Sequence, residues 1–563
     1  MANMKRVRRI MKDEAQALPA ARRPATVTVP RMARPLLALF AENPMKRLLP
    51  LLAAALVCHS FAYGADAAPS PSPSPAEDGT SRLSVTEHTM TINGQVLKYK
   101  ATAGYMTLSD EKDGKQDDEA KPGASPTPEA GKPTAKIFFI AYTREDAGDS
   151  GTRPITFAFN GGPGAASVWL HLGQLGPRRV KLDELAPNSG PPFALVDNDL
   201  TWLTDSDLVF IDPVSTGYSR PAPGASAGDF HGYEPDIKSV GEFIRLYITD
   251  NDRWLSPKFI VGESYGGTRA AGLCDFLQND ENIYLDGVII VSGLMNWQNI
   301  DFSPGNDIAF ALGLPAFTDT AWFYKKDAPE YQQEDVAKVR QAAEDFALKD
   351  YLLALGKGDQ LSDADRQAIA LQLSKFIGLP VDYILRHHLK VSDDDFRQEL
   401  LKPDGRAPGR FDSRYSGIVY DPDGDIGDPS FVAVRGAFAA TINSYLRTEL
   451  KFKSDLPYQI LADVQPWSFQ ADNRYLDVSQ LLGKAMSENP RMKVWITCGY
   501  YDLAISYFST QYTLDHLHLE PAIRQNLTIS KYDSGHMIYT DQNAMKLLRD
   551  DFGRFLKAAA AGN

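Results

Sequence analysis

From residue 136 to about 296, short apolar runs alternate with helical stretches, and this alternation constrains the fold more than any other feature of the chain. Buried strands joined through helices lie side by side in parallel, because each helix carries the chain back to the same end of the sheet. The runs 136–143, 154–160, 207–211, 258–261 and 287–291 read as strands, being rich in Ile, Val and Phe. Residues 236–248 carry helical spacing between two of them. The pattern returns with runs 493–497 and 526–532 and a closing helix over 543–558. The interval differs: 335–355 and 363–376 have helical spacing, and no buried strand is evident from 297 to 455. The expectation is an α/β fold whose mostly parallel sheet is written in two parts, 84–296 and 456–563, around a helical insertion over 297–455. At 563 residues the chain is longer than a single core keeps growing, so it has room for such a cap.

The N-terminal region reads differently again. Residues 84–105 alternate with period two, and Asn93-Gly94 is an apt hairpin turn between paired strands, a β extension of the sheet. Residues 110–135 are rich in Asp, Glu, Lys, Gly and Pro and read as a disordered loop within it. Alternating Ser and Pro from Pro69 to Pro75 make 69–83 a stiff, solvated linker. Met45-Lys46-Arg47, the apolar run 48–57 and the small residues Ala65-Asp66-Ala67-Ala68 have the layout of a secretory signal with its cleavage site. The run is too short for a spanning helix, which needs about 20 residues. Residues 1–68 are therefore read as an upstream extension plus signal peptide, with Met45 the start, and the mature protein as exported, periplasmic or secreted. Arg8-Arg9 is a poor twin-arginine signal, since a long polar gap precedes the apolar run.

Gly262-Glu263-Ser264-Tyr265-Gly266 lies between the strand at 258–261 and a helical stretch at 268–277. Flanking glycines permit a sharp strand-to-helix turn that exposes Ser264, and the helix N-terminus favours negative charge developing there. Asn160-Gly161-Gly162-Pro163-Gly164 follows the strand at 154–160, and consecutive glycines let backbone N–H groups approach a ligand closely. One of these, with the N–H of Tyr265, would form an oxyanion hole. Asp502 follows the strand at 493–497, on a strand-end loop suited to orienting a histidine. His536, in Gly535-His536-Met537, follows the next strand and precedes the last helix. Ser264, Asp502 and His536 are the candidate nucleophile, orienting acid and general base. Asp533 and Asp541 are nearer to His536 in sequence, but neither ends the preceding sheet strand.

Other chemistries find less support. Net charge is −13, from 59 basic and 72 acidic residues, which argues against a nucleic-acid surface. His516 and His518 fall on different faces of a helix, and His387-His388 lies in the helical insertion. Asp421, Asp423, Asp425 and Asp428 lack the Gly position and the closing Glu of a calcium loop. No metal or other cofactor is expected, since acyl transfer through a serine needs none. Of three cysteines, Cys58 falls in the signal segment; whether Cys274 and Cys498 pair is left open. Oligomeric state is also open.

Together these segments resemble the serine carboxypeptidases, a branch of the α/β-hydrolases, in which the triad follows the chain order Ser, Asp, His. Asn160–Gly164, Gly176-Pro177, Asp212-Pro213-Val214-Ser215-Thr216-Gly217-Tyr218-Ser219, 262–267 and the Asp502 and His536 segments occur in that family's order, over about 135–555. The resemblance implies cleavage of one residue from a peptide or protein C-terminus through an acyl-enzyme. It implies oxyanion donors at the backbone of Gly162 and Tyr265, and binding of the substrate carboxylate by Asn160 with Gly161, and by Glu263. Departures are present. Ala158 stands where the family has a Trp, Ala165 where it has a Cys, and Gln174 where it has a second acid. Gln174 is expected to join the carboxylate-binding residues and to offer its amide to an ionised Glu263, which would weaken an acid pH preference. A serine esterase, an acyltransferase or an endo-acting peptidase with the same triad remains the alternative, and a non-catalytic secreted binding protein the third reading.

Overall fold

A computed structural model describes residues 83–110, 131–149, 151–183, 185, 190–421 and 426–560. The signal segment, linker positions 69–82, the loop positions 111–130 and Asp423 and Asp425 lie outside the described residues.

Among the described residues nine strands line up in one sheet. They are β1 (Ser84–Ile92), β2 (Gln95–Ser109), β3 (Pro133–Arg144), β4 (Ile155–Phe159), β5 (Asp207–Ile211), β6 (Lys258–Glu263), β7 (Gly287–Val291), β8 (Lys493–Gly499) and β9 (Leu527–Tyr532). Their spatial order is β1-β2-β3-β5-β4-β6-β7-β8-β9, with a two-residue strand at Arg220–Pro221 also paired to β3. From β5 to β9 every pairing is parallel. The first three strands run antiparallel as a meander. The β1–β2 register places Ile92 opposite Gln95 across Asn93-Gly94, and both turn residues have positive φ, 51° and 79°, which matches the twist of the flanking strands.

The central strands β4, β5, β6 and β7 are buried at every position, as strands covered on both faces must be. Helices α1 (Tyr233–Asp250) and α2 (Tyr265–Asn279) follow β5 and β6. Between β7 and β8 lies the helical insertion, with α3 (Ile308–Phe323), α4 (Val336–Phe346), α5 (Asp363–Ile377), α6 (Asp393–Leu400) and α7 (Pro429–Thr448). Helix α3 is apolar all round and buried from Ala309 to Ala321, so it forms the insertion's centre. Its one carboxylate, Asp319, is met by Arg340 of α4 at 2.8 Å. The Arg340 guanidinium also lies 3.3 Å from the centre of the Tyr500 ring, tying the insertion to the loop that carries Asp502. The insertion also holds a short strand pair, Arg406–Pro408 with Ser416–Ile418. Three-residue strands containing Pro, Gly and Arg have no period long enough to read from sequence.

The stretch read as one helix over 335–355 is divided. A π-helical turn at Ala347–Tyr351 separates α4 from Leu352–Lys357. Cys274 and Cys498 are both buried free thiols. Among the described residues no helix is long and apolar enough to cross a membrane. A final helix, α8 (Gln542–Ala560), closes the fold against β8.

Candidate active site

Ser264 sits at the C-terminal end of β6, where parallel strands open toward the loops that follow them. It has φ 63° and ψ −128°, a backbone conformation that side-chain-bearing residues avoid. Such strain survives only where the surroundings impose it. Here the Ser264 N–H donates to Val291 O at 3.1 Å, while its carbonyl accepts from Gly267 and Leu294. The turn is thereby pinned to β7 on one side and to its own helix on the other. Tyr265 is the first residue of α2, so its N–H has no carbonyl one turn earlier within the helix. Gly162, with φ 103°, lines the same cavity as Ser264 and Tyr265. The loop packs close: a Cβ on Gly161 would lie 2.4 Å from the Tyr265 nitrogen.

A buried ion pair holds this loop. Arg269 of α2 meets Asp236 of α1 through two bonds of 2.8 and 3.0 Å, and its third arm donates to the Asn160 carbonyl at 2.6 Å. Asn160 is fixed at its side chain as well. Its Oδ1 accepts from Leu170 N at 3.0 Å, and its Nδ2 donates to Glu263 Oε1 at 2.8 Å.

On the other side of Ser264, His536 Nδ1 pairs with Asp502 Oδ2 at 2.7 Å. The second oxygen of Asp502 accepts from Ala504 N at 2.8 Å and Ile505 N at 2.9 Å. His536 is stacked on Phe411, and its backbone N–H donates to the Phe411 carbonyl. Burial alone would lower the pKa of His536, but the adjacent Asp502 carboxylate outweighs it and the net shift is upward. With Nδ1 committed to Asp502, Nε2 is the nitrogen left to exchange a proton with a reacting group. The nearer acid in sequence, Asp541, is spent elsewhere, capping the N–H groups of Asn543 and Ala544 and pairing with Arg414.

Ser264, Glu263, Tyr265, Asn160, Gly161, Gly162 and His536 all border one cavity of about 180 Å³. Glu263 is buried, and burial raises its carboxyl to about 7, against the lowering influence of His536, Tyr539 and Asn160. Among the described residues its Oε2 has no hydrogen-bond partner.

One expectation meets a different outcome. The Gln174 amide does not reach Glu263: Nε2 donates to the Met545 carbonyl of α8 at 2.9 Å. The physical reason is local, because 171–175 forms a π-helical turn that directs Gln174 at the closing helix. The donor in its place is Tyr539, whose hydroxyl lies 3.2 Å from Glu263 Oε1. Tyr539 fits because position 173 is glycine; a Cβ there would meet the ring at 2.4 Å. Sequence reading passed over Tyr539, although a hydroxyl-bearing aromatic three residues after the candidate base was visible. Ala158 is buried within β4, and Ala165 borders the cavity. Among the described residues no cluster of His, Cys, Asp and Glu could hold a metal ion. Asp428 instead caps α7.

Comparison with known proteins agrees with the motifs. Residues 128–344 match the family model for serine carboxypeptidases. The chain is 31% identical over 139 residues to the pheromone-processing carboxypeptidase KEX1 of Saccharomyces cerevisiae, covering 23% of this chain and 18% of that protein. It is 27% identical over 191 residues to serine carboxypeptidase-like 36 of Arabidopsis thaliana, covering 32% of this chain and 36% of the plant protein. The chain thus matches well under two thirds of the length of either relative. The crystal structure of the prohormone-processing carboxypeptidase Kex1 from S. cerevisiae superposes with a TM-score of 0.52 at 17% identity, covering 81% of this chain and 91% of that one, a likeness of fold. By motif order and the match over residues 128–344 the chain is similar to the serine carboxypeptidases, and its sheet has the α/β-hydrolase architecture.

Proposed function

We propose that this protein is an exported serine carboxypeptidase that releases single residues from free peptide C-termini. The observation that carries the reading is one cavity bordered by a strained serine, a histidine bonded to a buried carboxylate, and a second buried carboxyl with an unpaired oxygen. Ser264 Oγ attacks the scissile carbonyl while His536 Nε2 takes its proton. The carbonyl oxygen, becoming an oxyanion, is met by the N–H groups of Gly162 and Tyr265. His536 then gives the proton to the leaving amine, the C–N bond breaks, and an acyl group remains on Ser264. Water reverses the sequence and frees the acid. Asp502 keeps the imidazole in the tautomer this requires.

The leaving residue carries the C-terminal carboxylate. Asn160, Gly161 and Glu263 border the space it would occupy, and the neutral form of Glu263 can donate to it. Tyr539 and Asn160 both bond Oε1, which leaves Oε2 for that contact. The N-terminal signal layout supports export to the periplasm or medium.

The test is one peptide offered with a free or an amidated C-terminus to the wild type and to Ser264→Ala, with products read by mass. Loss of single residues from the free form only, absent in the variant, is the expected result. Equal cleavage of both forms, or ester hydrolysis with neither peptide cleaved, would leave a general serine hydrolase.

A further inference from the structure

The cavity wall beyond the reacting groups is apolar, formed by Trp169, Leu294, Trp297, Ile300, Phe431 and Leu461. Its charged members are Glu263, His536 and Arg410. Arg410 has no part in the chemistry above, yet the fold takes care to hold it. Its N–H donates to Asp428 Oδ1 at the start of α7, and its carbonyl accepts from Leu503, next to Asp502, at 3.0 Å. Its guanidinium Nε pairs with Asp393 of α6 at 3.1 Å, and the side chain is 40% exposed. The two outer nitrogens meet no acceptor among the described residues. That charge is felt at the chemistry, because Arg410 opposes the upward shift that Asp502 imposes on His536.

We propose that Arg410 makes this site select by charge on a substrate residue beside the scissile bond, with apolar side chains preferred and an acidic side chain handled better than a basic one. The inference rests on the hydrolase reading of Ser264. An apolar wall favours a side chain that loses no hydration on entering, and Arg410, held on one side by Asp393 with its outer nitrogens open, receives a carboxylate and repels a second cation. Asp393 stands behind the wall as the partner of Arg410, and among the described residues Glu263 is the only acidic group on it. With its carboxyl raised to about 7, it offers little negative charge to a lysine under mildly acid conditions. The overall charge of −13 pulls the other way, drawing cationic substrates toward the protein. That pull is screened beyond about 8 Å at physiological salt, whereas Arg410 acts inside the cavity, so the local charge decides.

Two substrate series test this on the whole protein: N-blocked esters of Leu, Glu and Lys, and N-blocked dipeptides with a free C-terminus carrying Leu, Glu or Lys at either position. Leu is expected to be best. In at least one series Glu should exceed Lys by about tenfold in kcat/KM. Arg410→Met should bring the Glu-to-Lys ratio toward one and Arg410→Lys should preserve it, whereas a variant that only disturbs folding would lower all three substrates alike. Lys equal to or better than Glu in every series, or a ratio unmoved in Arg410→Met, would overturn the proposal. Ester hydrolysis without dipeptide cleavage would break the carboxypeptidase reading and still report the ratio; hydrolysis of neither would remove both.

Discussion

Two buried carboxyl groups serve the site, Glu263 beside Ser264 and Asp502 behind His536, and they are treated in opposite ways. Asp502 has each oxygen bonded, one to His536 and the other to two backbone N–H groups. Glu263 has one oxygen bonded twice, by Asn160 and Tyr539, and the other not at all. A buried polar atom without a partner costs on the order of 1–3 kcal/mol. The contrast fits the roles proposed for the two groups: Asp502 is complete without a ligand, as a fixed holder would be, whereas Glu263 keeps an oxygen open toward whatever enters the cavity.

The largest expected effect is on the complete side. Asp502→Asn should lower kcat by about 10⁴-fold, because an amide favours the wrong tautomer of His536. The loss should be equal for esters, amidated peptides and free peptides. A loss confined to free C-termini would break the comparison by giving Asp502 the role assigned to Glu263.

A third buried carboxylate, Asp236, bears on stability. Asp236→Ala strands the buried Arg269 charge that also grips the Asn160 carbonyl. A cost of about 3–5 kcal/mol is expected, read from the urea unfolding midpoint at unchanged slope.

Glu263 should show itself in KM and in pH. Glu263→Ala is expected to raise KM for free peptides about 10- to 100-fold while sparing esters. The wild type has a carboxyl raised to about 7, so the donor is present below that pH. As pH rises through about 7 the group ionises and faces the substrate carboxylate with like charge. Binding of free peptides should therefore weaken above neutrality, and binding of amidated ones should not. Glu263→Gln, a permanent donor, should abolish that alkaline loss. A wild-type profile rising only below about pH 5 would count against this assignment.

The smallest effect sharpens the comparison most. The Tyr539 hydroxyl favours the ionised form of Glu263, so its removal should raise the Glu263 pKa. Tyr539→Phe is expected to move the alkaline limb up by about half a unit and to change KM two- to threefold, by about 1 kcal/mol or less. An unmoved limb would make Tyr539 a packing residue only.

Much of this frame was legible in the chain. The strand read at 207–211 is β5 with the same bounds, and the runs at 258–261 and 287–291 mark β6 and β7. Continuous apolar runs between helical stretches are a strong signal, because strands buried on both faces have no polar side to show. The turn at Ser264 was legible for a similar reason: its glycines and the strand before it are local. Gln174 was misread because a family position does not reveal a π-helical turn, which aims the side chain at Met545. Tyr539 was missed because its partner lies 276 positions away, and no periodicity spans that distance.

By itself the sequence determined the class of fold, the strained turn that holds Ser264, and the order of the residues that meet there, since each depends on backbone preferences and side-chain patterns a few residues long. Tertiary structure alone decided which hydroxyl meets Glu263, and that Arg410 stands in the cavity wall. Those juxtapose segments more than a hundred residues apart, and they exist only once parallel strands, a closing helix and the inserted cap have been packed into one register.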